Sequence, residues 1–341
     1  MRPITLALDA MGGDRGPAII IAALKRALQA FPTTHFLVFG DEQELKPLLR
    51  SIPSQYSSRY QIVHSAQVIE MDDKPGQCIR SKPKASMRLA IDAVAENDAD
   101  ACVSCGNTGA LMALSYLKLK TIPGVIRPAL VAPLPNQKGH QSFLLDLGAN
   151  PQCDAETLHQ FAVMGSVLAT EVARVKRPRV ALLNMGEEEI KGNDVVKNAA
   201  QLLKENQAIE YVGFIEGNDI FAGKADVIVC DGFTGNVALK SCEGMARLLY
   251  ENLNQSLKTH WFSKLLALFV YKRLKNSLSW LKPDQYNGAS LIGLRGVVIK
   301  SHGNASAEAF FSAIKQAQVE AENKLPSRIH DQIAAELGEQ S

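Results

Sequence analysis

Aromatic residues are scarce in this 341-residue chain, at 6% with two tryptophans in all. Beside plentiful Gly, Ala and Val, that scarcity points to packed α/β layers rather than to a β-sandwich. An excess of either charge is missing too. The 37 Lys and Arg against 35 Asp and Glu leave a formal +2, which excludes the strongly basic balance of a nucleic-acid binder. Long apolar runs are absent: the longest uncharged stretch, Ala101 to Leu117, has 17 residues and contains Ser104, Asn107, Thr108 and two glycines, too short and too polar for a spanning helix. Met1-Arg2-Pro3 runs straight into Ile4 to Leu8 and Asp9, without the basic, apolar and cleavage regions of a signal peptide, so a cytoplasmic protein is expected. Six cysteines in such a chain read as reduced thiols, although Cys102 and Cys105 also keep a zinc site open. Neither a Walker A loop nor a Gly-x-Gly-x-x-Gly occurs, which argues against a nucleoside triphosphate or a standard dinucleotide. With no internal repeat and no Pro- or Ser-rich linker, residues 1–341 read as a single domain.

What is present is a rhythm. Short apolar runs end in Gly, Asp or Asn and lead into stretches of helical spacing, the alternation of a sheet with crossover helices. Strands are expected at Ile4 to Leu8, Phe36 to Phe39, Ala101 to Ser104, Ala129 to Ala132, Phe143 to Leu145, Val180 to Leu183, Tyr211 to Phe214 and Val227 to Cys230. Helices are expected near Pro17 to Ala30, Lys84 to Ala95, Thr108 to Leu117, Ala155 to Arg174, Val195 to Lys204, Asn236 to Tyr250 and Ala305 to Glu322. The fold class that follows is a doubly wound α/β sheet. From Ser256 to Asp284 the rhythm breaks into an apolar and basic excursion, and it resumes at Ser290.

In such sheets ligands bind beyond the carboxyl ends of strands. The loops there are 9–17, 104–109, 146–150, 186–194, 232–236 and 301–304, and five of the six pair Gly with Asn. Gly and Asn make turns and helix caps. Several helix amino termini converging on one crevice would also hold a small anion such as phosphate. Asp9, Asp14, Asp146 and Asp231 at strand ends either cap helices or gather a metal. His302 either bonds a backbone carbonyl or acts as acid or base.

Four motifs together resemble one family: Leu8 to Asp14, the Gly-Asn-Thr-Gly-Ala run at 106–110, Gly186 to Glu189 with Lys191-Gly192-Asn193, and Asp231 to Val237. Their joint order is similar to that of the bacterial acyl-ACP:phosphate acyltransferases of phospholipid synthesis, from Ile4 to about Ala321. The resemblance implies a homodimeric α/β/α sandwich like that of isocitrate and isopropylmalate dehydrogenases, and no cofactor or metal. It implies transfer of a fatty acyl group from acyl carrier protein to inorganic phosphate. It also supports Lys191 and Asn236 as the catalytic pair, one holding phosphate or steadying shifting charge, the other donating to an oxyanion. Gly12, Gly13, Gly106, Asn107, Thr108 and Asn193 are the expected phosphate cradle and its frame. The family usually has a small residue where this chain has Cys105, which speaks against a covalent cysteine mechanism.

Read from residue chemistry alone, Lys191 is a solvated loop lysine rather than a catalytic one, and Glu187 to Glu189 either orient it or face water. The acidic carrier protein would dock on basic residues, and Arg80, Lys82, Lys84 and Arg88 fall together near a predicted helix start. In the 256–284 excursion, six Lys and Arg against one Asp give +5, leaving −3 for the rest of the chain. Its Trp261, Leu266, Phe269, Lys272 and Arg273 suit either an anionic membrane surface or a dimer interface. Membrane contact would also bring the chain near the membrane acyl-phosphate:glycerol-3-phosphate acyltransferase. Two rivals remain: a dehydrogenase of the related fold, which needs a nicotinamide site and a metal cluster, and a non-catalytic phosphate- or acyl-binding protein.

Overall fold

The computed structural model describes residues 3–258 and 288–339. Eleven strands form one sheet: β1 (Thr5–Asp9), β2 (His35–Gly40), β3 (Tyr60–His64), β4 (Ala101–Ser104), β5 (Ala129–Pro135), β6 (Gln141–Leu145), β7 (Arg179–Leu183), β8 (Glu210–Ile215), β9 (Val227–Val229), β10 (Ala289–Ile292) and β11 (Val297–Lys300). Their spatial order is β3-β2-β1-β4-β11-β10-β5-β6-β9-β7-β8. The sequence rhythm located eight of them within a few residues. β3, β10 and β11 were not expected as strands.

Strand direction divides the sheet. β3, β2, β1, β4 and β11 run parallel, and β6, β9, β7 and β8 run parallel to one another. Between these groups the β11–β10, β10–β5 and β5–β6 pairings are all antiparallel. The two groups therefore point in opposite directions, and their carboxyl ends lie on opposite edges of the sheet. A uniformly parallel sheet would have gathered all six Gly-rich loops on one edge.

Both faces are covered, because alternate residues of each central strand are apolar and point to opposite sides. Leu6, Leu8, Val103 and Ile299 face α1 (Pro17–Ala30) and a later helix, α9 (Ala307–Glu322), through Ile20, Leu24, Phe310 and Ile314. Phe143, Leu145, Val180 and Val229 face α6 (Ala155–Ala173), α7 (Asp194–Glu205) and α10 (Leu325–Glu339). The intervening residues Ala7, Cys102, Leu144, Ala181, Ile228 and Val298 build one continuous layer on the other face. There they meet α3 (Pro75–Ser81), α4 (Ser86–Ala95), α5 (Thr108–Leu119) and α8 (Gly232–Lys258), whereas α2 (Glu42–Leu49) packs through Leu45 and Leu49 on the α1 face. This is the expected doubly wound α/β/α sandwich, with a mixed centre. Fully buried side chains such as Phe161 each contribute roughly 1.5–3 kcal/mol.

Helix starts follow local chemistry. Pro17 opens α1 behind Gly16, whose φ of 70° suits glycine. Asp154, Asn193 and Ser306 cap α6, α7 and α9 by accepting from backbone amides three residues on. From residue 259 to 284 the expected excursion, including Trp261, Leu266, Phe269, Lys272 and Arg273, lies outside the described residues.

Candidate active site

The neighbouring strands β1, β4 and β11 bring three of the Gly-rich loops together. A side chain at Gly12 would place its Cβ 2.7 Å from both Asp9 Oδ2 and the Gly106 amide nitrogen, so these two loops touch backbone to backbone. Gly13, with φ +89°, packs in the same way against Cys105 and the Gly303 carbonyl, which accepts from the Asp14 amide at 2.8 Å. Asp9 is fully buried. It accepts from Ser104 Oγ at 2.6 Å and from the Met11 amide at 3.4 Å, and burial raises its pKa. Cys105 donates its thiol to the Gly12 carbonyl at 2.9 Å, and burial pushes it up to about 12. At neutral pH it is a protonated, inert side chain.

Asn107 accepts from the Ala110 amide at 3.0 Å as the cap of α5. Its Nδ2 points to the carbonyls of Glu70, Met71 and Asp73 at 3.3, 3.0 and 2.9 Å. Its amide donors are thus spent on the 70–73 loop. Of the residues expected to cradle phosphate, Asn107 is frame. Thr108 is exposed beside it in the first turn of α5.

Lys300, the last residue of β11, was not expected at the site. It is 8% exposed, and its ammonium donates to the adjacent Ser301 carbonyl. Burial, reinforced by the nearby positive charge of Lys240, lowers its pKa to about 8. The sequence signal was a lysine closing an otherwise apolar Val-Val-Ile strand just before a Gly-Asn loop.

The other loops gather at the carboxyl ends of β6, β7 and β9. Asp146 is buried and accepts from the amides of Leu130, Ala149 and Asn150 at 2.9, 3.1 and 2.6 Å, and from Asn150 Nδ2 at 2.9 Å. Burial raises its pKa. The first turn of α8 lies against it: a Cβ on Gly235 would fall 2.0 Å from the Asp146 carbonyl oxygen. That contact sets Asn236, exposed, opposite Gly148. Asp231 caps the same turn through the Thr234 amide at 2.8 Å.

Beside this turn opens a cleft of about 350 Å³, lined among others by Asn184, Met185, Gly192, Asn193, Asp231 and Thr234. Asn184 ties its rim by donating to the carbonyls of Gly186 and Lys191 at 3.1 and 3.2 Å. Asn193 spends its oxygen on the Val196 amide at 2.9 Å. Lys191 is exposed on this rim. Glu187 pairs with Lys224 at 2.7 Å and Glu189 with Lys204 at 2.5 Å, so these acids pin the loop to its neighbours rather than orienting Lys191. Among the described residues no carboxylate forms an ion pair with Lys191.

The structure thus builds two groups: Gly12, Gly13, Gly106, Asn107 and Thr108 at one, Lys191, Asn193 and Asn236 at the other. The helix α8 joins them. Gly235 rests on Asp146, and two turns later Glu243 lies 3.6 Å from His302 in the β11–α9 loop. The four strand-end aspartates do not gather. Among the described residues no three His, Cys, Asp or Glu side chains come together as metal ligands.

Comparison with known proteins adds the following. A family described as fatty acid synthesis protein matches residues 4–328. A phosphate acyltransferase of Idiomarina loihiensis is 55% identical over 340 residues, covering all of both chains. One from Pseudoalteromonas atlantica is 53% identical over 341 residues, again covering all of both. Among solved structures, a phosphotransacetylase from Streptococcus pyogenes superposes with a TM-score of 0.61 at 16% identity, covering 94% of each chain. The EutD phosphotransacetylase from Staphylococcus aureus gives 0.59 at 18% identity, covering 93% of this chain and 94% of its own. At these identities the structural likeness establishes the fold alone.

Proposed function

The chain belongs to the fatty acid synthesis protein family and, within it, to the phosphate acyltransferases, and on that premise we propose that it moves a fatty acyl group from acyl carrier protein to inorganic phosphate. The product is acyl phosphate, the acyl donor for glycerol-3-phosphate acylation. The enzyme is an acyltransferase of fatty acid and phospholipid synthesis. The observation that carries the finer reading is Lys191, exposed on the rim of an open cleft with no ion-pair partner among the described residues, while the nearby Glu187 and Glu189 are paired to Lys224 and Lys204.

In the reaction a phosphate oxygen attacks the thioester carbonyl carbon, the carbonyl oxygen takes up negative charge, and the C–S bond then breaks to release the carrier thiolate. A thioester is already activated, so the protein's task is to hold two reactants in line. Asn236 donates to the carbonyl oxygen as its charge grows, and Lys191 neutralises charge on phosphate or on the departing sulfur. The Gly12, Gly13 and Gly106 backbone, framed by Asn107 and Thr108, and the free Nδ2 of Asn193 supply further donors. Cys105, held protonated, has no part in this chemistry.

The partners follow from the substrates. Acyl carrier protein docks on basic surface, for which Arg80 and Lys84 remain exposed, whereas Lys82 is paired to Asp73 and Arg88 to Asp92. We place the enzyme in the cytoplasm as a homodimer in peripheral contact with the membrane, within reach of the acyl-phosphate:glycerol-3-phosphate acyltransferase there. No described helix is long and apolar enough to cross a membrane. The helix α8 exposes Val237, Met245, Leu248 and Leu249 on its way into the basic excursion, which supports a surface contact.

The test is release of free acyl carrier protein from its acyl thioester, dependent on added phosphate. Lys191→Ala is expected to lower kcat by about 100-fold, and an unchanged kcat removes it from the mechanism.

A further inference from the structure

The reaction drawn above makes no use of Lys300. Three features set this lysine apart. It ends a strand whose other residues are fully apolar and is itself 8% exposed. Its ammonium donates to the Ser301 carbonyl, and no described carboxylate comes within ion-pair distance. Asp14 and Asp9 act on it only from beyond ion-pair distance, and Asp9 has turned its oxygens to Ser104 and Met11. Lys240 adds a second positive charge from α8.

An ammonium buried with no carboxylate in ion-pair contact costs several kcal/mol, and lysine rarely stays in such a place unless something answers it. The surroundings favour an anion. The loops after β1, β4 and β11 meet here, and α1, α5 and α9 all begin at this edge, presenting amino termini. Between the loops the chain has glycine rather than side chains: Gly12 abuts the Gly106 backbone, and Gly13 abuts that of Gly303. Backbone amides can therefore approach a small ligand closely.

We propose that Lys300 is the buried cation of the phosphate site, contacting an oxygen of inorganic phosphate between the β1, β4 and β11 loops. This rests on the acyltransferase reading for the identity of the anion. It gives the reaction two lysines with separate duties, Lys300 fixing the nucleophile and Lys191 meeting the charge that moves during transfer.

Lys300→Met keeps the volume and removes the charge. It is expected to raise KM for inorganic phosphate by about tenfold or more, with KM for the acyl thioester unchanged, and Lys300→Arg recovers part of the loss. A merely structural lysine would shift melting temperature without separating the two KM values. Calorimetric titration with inorganic phosphate alone distinguishes failure of this inference from failure of the functional reading. If the wild-type protein binds phosphate, Lys300→Met does not, and no transfer is found, the site stands and the reaction assignment falls. If folded Lys300→Met binds phosphate as the wild type does, the inference is overturned.

Should the variants not fold, the wild-type protein decides through sulfate, whose charge is constant from pH 6.5 to 9.5. Around Lys300 stand Asp9 and Asp14 from the β1 side, Cys105 from the β4 side, where the thiol titrates near 12, and Lys240 from α8. Sulfate affinity must fall as pH rises through about 8, where Lys300 loses its proton. A flat profile overturns the proposal.

Discussion

Glu320 sits on the buried face of α9, 2% exposed, accepting from Ser290 Oγ and from Gln316 Nε2, the latter at 2.7 Å. These bonds favour its charged form, but burial outweighs them and raises its pKa to about 7. The folded protein therefore holds this proton to higher pH than the unfolded chain, whose glutamates titrate at about 4.3. Stability that is full below that value is lost as pH rises toward 7, and the penalty is constant above it. At pH 8 the buried charge costs at most about 4 kcal/mol. Glu320→Gln keeps the shape and removes the charge. Denaturant unfolding should show the variant more stable than wild type at pH 8, with the gain shrinking toward pH 5; an equal gain at both values would place the cause elsewhere.

Among elements, α5 shows how one side chain can start a helix and hold a distant loop. The cap oxygen of Asn107 serves α5, and its nitrogen serves the 70–73 loop, which also carries the Asp73–Lys82 pair at 2.5 Å. Asn107→Asp keeps the cap, loses the donors and sets a negative charge against three carbonyls, whereas Asn107→Ala loses both functions. Each should cost about 1–3 kcal/mol. Hydrogen exchange separates them: the Asp variant is expected to loosen 70–73 while protecting the start of α5, and the Ala variant to loosen both. Among the described helices α2, α3 and α10 were not expected, although Asp41 caps α2, and the others were. Pro17 after Gly16, Asp154, Asn193 and the apolar strand Ala101–Ser104 announce their elements, because start signal and periodicity agree. β3 was hidden because its Tyr-Gln-Ile-Val-His edge is half-buried and barely alternates. β10, Ala-Ser-Leu-Ile, carries a serine inside its run and β11, Val-Val-Ile-Lys, closes on a lysine, so neither reads as a plain apolar strand. At the site, glycines and asparagines after strands were readable from composition. Which amides are already spent, as at Asn107, and which lysine is buried, as at Lys300, depend on strand neighbours far apart in sequence.

For the whole molecule, the decisive feature is the reversal at β11-β10-β5-β6, which makes two oppositely directed groups of strands one sheet. The apolar layer on one face runs unbroken from Ala7 through Val298 and Leu144 to Ala181, so neither group has a core of its own on that side. Thermal unfolding is therefore expected as one cooperative transition with matching calorimetric and van't Hoff enthalpies, in keeping with a single domain. Two resolved transitions would make the groups separate units. The same reversal orders events during synthesis. The strands that close the gap between β4 and β5 are among the last to be made. On a ribosome adding about 5–20 residues per second, β4 waits roughly 10–40 s for β11. Until then the nascent chain carries two half-sheets, each with a bare, largely apolar inner edge, the kind that pairs readily with another chain. Completion of this enzyme therefore depends on residues 289–300 arriving before a neighbour does, and early termination would release a polypeptide whose stickiest strands are the ones meant for its centre.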